Sequence, residues 1–144
     1  MRALAAIAAC LALLLPPVRA TADEPVVVAV VVHPARNERL DRRDVGRIFL
    51  RMRRFWNDGS PIVPINLEAD SPLRAIFTAR ALDLGPERLA AYWNEQYFHG
   101  IFPPTVLSSA AAVKRYVASD PHAIGYIDAR DVDDTVHVAL TLEE

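Results

Sequence analysis

Cysteine is nearly absent. Cys10 is the single thiol in 144 residues, and it sits inside an apolar run over residues 3–15. Leu11-Ala12-Leu13-Leu14-Leu15 follows it instead of polar sequence, which argues against a lipid-attachment cysteine. Once that run is removed, disulfides, thiolate metal sites and cysteine nucleophiles are excluded together, and packing must hold the chain. Long hydrophobic stretches are missing too: the run is about 13 residues, short of the ~20 that a spanning helix needs. With Met1-Arg2 before it and Pro16-Pro17 after it, the order is that of a secretory signal peptide. Val18-Arg19-Ala20 or Ala20-Thr21-Ala22 supplies the cleavage site, so residues 1–22 read as the signal and residues 23–144 as one periplasmic domain. An uncleaved anchor is the alternative.

Catalytic signatures are equally scarce. Ser71, Ser108 and Ser109 lie in no Gly-x-Ser-x-Gly elbow, and no glycine-rich phosphate loop exists. His33, His99, His122 and His137 are too scattered to be paired ligands on one helix face. Asp131, Asp133 and Asp134 lack the glycine and terminal glutamate of a calcium loop. The chain therefore reads as a non-enzyme without metal or cofactor. Its net charge is −2, and loss of residues 1–22 removes Arg2 and Arg19 but no carboxylate, so the remainder is more negative still. Nothing in that balance points to nucleic acid.

What is present is a regular succession of elements. Residues 26–32 are apolar throughout and all β-branched except Ala29, as in a strand buried on both faces. Asp41 has the place of a helix N-cap with Leu40 and Val45 at the staple positions, and Val45, Ile48, Phe49 and Met52 form an apolar helical face. Trp56-Asn57-Asp58-Gly59-Ser60-Pro61 reads as a turn, and residues 62–67 as a second strand.

Ser71 caps a further helix with Pro72 at its first position and Leu73, Ile76 and Phe77 inward, ending at Gly85. Pro86 starts the next, with Leu89, Tyr92, Trp93, Gln96 and Tyr97 on one side and Gly100 at its end. Residues 102–104 read as irregular. Ser108 or Ser109 caps a fourth helix carrying Val113, Tyr116 and Val117. Residues 124–127 form a third strand, and Val136, Val138, Leu140 and Leu142 alternate as in a half-buried strand near an edge. The class is α/β, with a largely parallel sheet covered by helices.

Two groups of side chains stand out. Arg36, Arg39, Arg42, Arg43, Arg47, Arg51, Arg53 and Arg54 crowd one helix and its ends. They form either a solvated face, with stems covering apolar surface, or a docking surface for an acidic protein or anionic membrane, centred on Arg42, Arg43 and Arg47. Trp56, Tyr92, Trp93 and Tyr97 either line a cleft or pack in the core; helical spacing favours core for the last three, and Trp56 in its turn is expected to be partly exposed.

In order and spacing, several pieces resemble phosphate-type substrate-binding proteins of ABC transporters. They are the strand at 27–32, Leu40-Asp41 through Asp44-Val45 with Ile48-Phe49-Leu50, and Trp56-Asn57-Asp58-Gly59 before Pro61-Ile62. Ser71 with Arg74 and Phe77, Tyr92-Trp93 to Phe98-His99-Gly100, and Ala123-Ile124-Gly125-Tyr126 continue the likeness, which spans residues 26–128. The resemblance implies the type II periplasmic-binding-protein fold, in which two α/β lobes close on an oxyanion, with only one lobe in this chain. It also implies a phosphate, other oxyanion or small-molecule site at the Ser71 helix start, drawing on Ser71, Leu73 and Arg74, to which Trp56 is added as a cleft aromatic; a membrane transporter or sensor is the partner expected of a docking chain. The anion-binding turn of the family reads Ser-Gly-Thr, whereas here Pro72 offers no N–H and Leu73 no hydroxyl, so the site is a reduced one. A second reading keeps the fold without a ligand, as an interaction module docking through the arginine-rich helix.

Overall fold

The structure, a computed structural model, describes residues 24–143. The signal-peptide expectation for residues 1–22 therefore lies outside the described residues. Five strands form one sheet: β1 (Val28–Val32), β2 (Val63–Leu67), β3 (Thr105–Leu107), β4 (Ala123–Asp128) and β5 (His137–Leu142). Their order is β3-β2-β4-β1-β5. β2 runs parallel to β3 and β4, while β1 is antiparallel to both β4 and β5. Four strands thus point one way and β1 alone runs against them. Lying between two neighbours, β1 is buried at all five residues, which is why it tolerates an uninterrupted Val/Ala sequence.

Four helices accompany the sheet: α1 (Arg42–Phe49), α2 (Pro72–Phe77), α3 (Pro86–Phe98) and α4 (Ala110–Ser119). α1 begins with a capping box, the Asp41 side chain accepting from the Asp44 N–H at 2.7 Å and the Asp44 side chain accepting from the Asp41 N–H at 3.3 Å. It is shorter than its apolar spacing suggests. Arg51 turns left-handed at φ 61, so Met52 falls beyond the helix and is 56% exposed instead of joining its buried face.

The second helix also departs from expectation. After Phe77 it widens into a π-helical segment, Thr78–Leu82, and ends at left-handed Asp83. Gly85 is not its terminator but the extended N-cap of α3. α3 buries none of its residues: Tyr92 and Trp93 are half-buried, and Tyr97, expected in the core, is 64% exposed. Gly100, at φ 71, closes α3 as its position suggests. The three-residue strand β3, in the stretch after Pro104, has too little apolar periodicity to be seen in the sequence. Ser109, not Ser108, caps α4 by accepting from the Ala112 N–H at 3.1 Å.

The two faces of β4 hold the layers together. A Cβ on Gly125 would lie 2.4 Å from Val113 Cγ1 and 3.3 Å from Val117 Cγ2, so α4 seats directly on that glycine. Tyr126 points to the opposite face, where its ring stacks on Phe77 at 3.9 Å and 4°, with Phe49 edge-on to Phe77 at 4.6 Å. Gly125→Ala should therefore overpack the α4 contact and destabilise the fold by about 1–3 kcal/mol, seen as a lower denaturant midpoint in equilibrium unfolding. An unchanged midpoint would mean that α4 is free to shift outward.

Candidate functional site

The Ser71 corner is built at the carboxyl end of β2. Ser71 is an extended residue whose hydroxyl oxygen accepts from the Arg74 N–H at 3.4 Å, and Pro72 occupies the first helical position. The Ala75 N–H bonds to the Ser71 carbonyl at 3.1 Å. Of the backbone donors that open this helix, Pro72 has none and those of Arg74 and Ala75 are engaged, so the Leu73 N–H alone has no acceptor among the described residues. The Leu73 side chain is half-buried against the core. The helix start thus presents much less positive potential than a turn with three open N–H groups.

Arg74 is held more firmly than the sequence suggests. One terminal nitrogen of its guanidinium donates to the Leu67 carbonyl at 2.7 Å, and no carboxylate pairs with it among the described residues. Behind it lies a small polar network: the Tyr126 hydroxyl donates to Asn66 Oδ1, and the Leu67 N–H donates both to Asn66 Oδ1 at 2.9 Å and to the Tyr126 hydroxyl at 3.3 Å. The guanidinium is therefore half-buried, oriented by a neutral carbonyl and paired with no carboxylate among the described residues.

The other residues singled out by sequence are not at this corner. Trp56 is 3% exposed, a correction to the partly exposed position expected. The turn folds back, with Trp56 N–H donating to the Ser60 carbonyl at 2.8 Å, and carries the ring inward. Its indole N–H donates to the His122 carbonyl at 3.1 Å and the Arg36 guanidinium lies 4.3 Å from its ring centroid, so both its polar atom and its face are occupied within the chain. Arg42, Arg43 and Arg47 are exposed and make no ion pair among the described residues. Arg36 and Arg53 behave differently: Arg53 bridges Glu38 at 3.1 Å and Asp44 at 3.2 Å, and Arg36 donates to the Pro121 carbonyl at 2.8 Å.

No family model matches the sequence, and no curated protein does either. Solved structures do match. A protein of Clostridium perfringens, assigned as a phosphate ABC transporter substrate-binding protein and holding phosphate, superposes with a TM-score of 0.63 at 21% identity, over 78% of this chain and 44% of that one. An ABC-type phosphate transport receptor of Vibrio cholerae gives 0.61 at 20% identity, over 78% and 46%. PstS of Borrelia burgdorferi gives 0.58 at 15% identity, over 78% and 47%. The fold is that of phosphate-type binding proteins, as a single lobe. The chain spans less than half the length of each of these three binding proteins.

Sequence reasoning missed Asn66 and Tyr126, whose polar ends sit on strands that otherwise read as plain core; only a tyrosine inside an apolar strand, which must find a partner for its hydroxyl, could have signalled them. Burial pushes the Tyr126 phenol up from its ordinary value of 10.0 to about 12, with the Leu67 N–H and the Arg74 charge opposing the rise. A raised folded-state value stabilises the protein fully below pH 10, and the stabilisation is lost as pH rises through about 12. Ultraviolet titration should show one tyrosine ionising at about 12, together with unfolding, and Tyr126→Phe should remove that late phase. A single ionisation near 10 for all four tyrosines would refute the assignment.

Proposed function

We propose that this chain is an exported, non-catalytic solute-binding protein of the phosphate-transport kind, periplasmic and serving an ABC transporter, with an oxyanion contacted at the Ser71–Arg74 corner. The observation that carries the reading is Arg74: a half-buried guanidinium oriented by the Leu67 carbonyl and beside the Leu73 N–H, with neither a carboxylate for the first nor an acceptor for the second among the described residues. The likeness in fold to proteins whose names state phosphate transport supports it, as does the signal-like amino terminus. With Pro72 and Leu73 in place of a glycine and a hydroxyl residue, affinity is expected to be low, and a second chain is a candidate to close the other side of the site. Trp56 has no part in it.

The test takes the protein from its native host, where intact mass should place its amino terminus near Thr21 or Asp23, and titrates it calorimetrically with phosphate and sulfate. Arg74→Ala should weaken anion binding by roughly ten- to a hundredfold, the worth of a charge-assisted contact. Pro72→Gly with Leu73→Thr should tighten it. Absence of binding at millimolar anion in both the parent and the restored turn would discard the reading.

A second reading is favoured by Arg42, Arg43 and Arg47, which are exposed and make no ion pair among the described residues. Here the chain docks through α1 onto an acidic face of a membrane transporter or sensor. Charge reversal of the three to glutamate should leave the fold intact, because none of their side chains makes an ion pair or hydrogen bond among the described residues, yet reduce partner capture, and capture by the parent should fall steeply with salt. Recovery in a pull-down that is indifferent to both changes would leave these arginines as a solvated face.

A further inference from the structure

A cavity of about 500 Å³ opens between α2 with its π-helical extension and the amino-terminal half of α3. Aliphatic walls dominate it, Leu84, Leu89, Ala75 and Ala90 among them, and no carboxylate contributes to its lining. Three residues bring polar groups: Arg74, Thr78 and Trp93. Arg74 and Thr78 lie four residues apart along continuous helical backbone and so emerge on one side, facing α3 and Trp93. The Thr78 hydroxyl and the Trp93 indole N–H have no hydrogen-bond partner among the described residues, and Arg74 uses one terminal nitrogen on Leu67.

The chemistry of this lining is one-sided. Guanidinium and indole N–H groups only donate, and the threonine hydroxyl can donate as well, so the polar part of the cavity suits an acceptor carrying negative charge. The aliphatic part suits a body that leaves water on binding. Inorganic phosphate meets the first demand and leaves the second unmet. Why the space exists is visible in the backbone: the π-helical widening and left-handed Asp83 turn the chain away before Gly85 and Pro86 start α3, and α3 then stands off the core with no residue buried.

We propose that this cavity binds a small aliphatic carboxylate, its head on Arg74 and Thr78 and its hydrocarbon against Leu84, Leu89 and Trp93. The proposal deepens the solute-binding reading and rests on it, since it takes Arg74 as the anion contact. It replaces the class of ligand: an organic acid in place of an inorganic oxyanion.

Hexanoate, hexanol and inorganic phosphate are titrated separately into the purified protein, followed by calorimetry and tryptophan fluorescence, with Trp56 buried elsewhere as the insensitive background. Hexanoate is expected to saturate, at least ~10-fold tighter than hexanol, because the alcohol lacks the charge-assisted contact. Arg74→Gln should cost hexanoate that same factor. Ala90→Phe, made at a wall position on α3, narrows the aliphatic part of the cavity and leaves Arg74 and Ser71 unsubstituted; it should abolish hexanoate binding and leave any phosphate response at the Ser71 turn in place. Unfolding curves show that each variant is folded, and Ala90→Phe keeps the test open if Arg74→Gln is not.

The proposal is overturned by absence of hexanoate saturation at millimolar ligand, by equal affinity for hexanol, or by hexanoate binding that survives Ala90→Phe. Phosphate binding without hexanoate binding overturns it while the oxyanion reading stands. Hexanoate binding without phosphate binding supports it and removes phosphate as the ligand.

Discussion

Two adjacent residues of β4 carry the architecture. Because side chains alternate across a strand, Gly125 and Tyr126 address opposite faces of the sheet, and each is matched to its face by size. The glycine gives α4 a seat in which even a methyl group would collide with Val113. The tyrosine fills the other side, stacking on Phe77 and reaching over β2 to Asn66 and Leu67. Phe77 is thereby pinned at the end of α2, and with it the first turn of that helix, where Ser71 and Arg74 sit. The place of the candidate anion contact is thus a consequence of core packing three residues away in sequence and one layer away in space.

The fold was legible wherever a residue's local chemistry agrees with its tertiary role. Asp41 caps α1 because an aspartate three residues before Asp44 has few better uses, and residues 28–32 form a central strand because nothing but burial suits five such side chains. The reversal of β1 was not legible, since its partner β4 lies some ninety residues on and strand direction leaves no local mark. The π-helical segment was missed for a related reason. Its sequence, Thr-Ala-Arg-Ala-Leu, is ordinary helix, and the widening accompanies close packing against α1, where a Cβ on Gly46 would meet the Ala81 carbonyl at 2.9 Å. α3 misled in the opposite direction. Its aromatic side looks like a core stripe, but Tyr92 instead spends its hydroxyl on the Leu50 carbonyl at 2.6 Å, an anchor at the end of α1 that leaves the rest of the helix outside.

The arginines show how little a count of charge says about its use. Eight lie between residues 36 and 54, and they divide by environment. Arg36 and Arg53 are 10% and 17% exposed and are consumed in closing the Trp56 turn against Glu38, Asp44 and Asp58. Arg51 donates to the Ile62 carbonyl at 3.4 Å, and burial with the nearby Arg54 charge pushes its guanidinium below the ordinary value, the mark of a structural arginine. Arg42, Arg43 and Arg47 lie exposed along α1 and make no ion pair among the described residues. The sequence puts all eight in one patch; three-dimensional pairing leaves a smaller group able to act on something outside the chain.

Arg74 belongs to neither group. A surface arginine gains little from one fixed geometry and loses rotamer freedom by adopting it, whereas a core arginine is normally matched by a carboxylate. Here the guanidinium is oriented by a backbone carbonyl, which aligns it without cancelling its charge. The same side chain borders both the Ser71 turn and the apolar cavity under α3. In the turn, Pro72 has removed an anion-binding N–H; in the cavity, small residues such as Ala75 and Ala79 leave room beside the charge. On the proposed reading, these local choices disfavour a compact oxyanion held by backbone N–H groups and favour an anion that brings its own apolar body, because the charge that remains is set beside aliphatic surface.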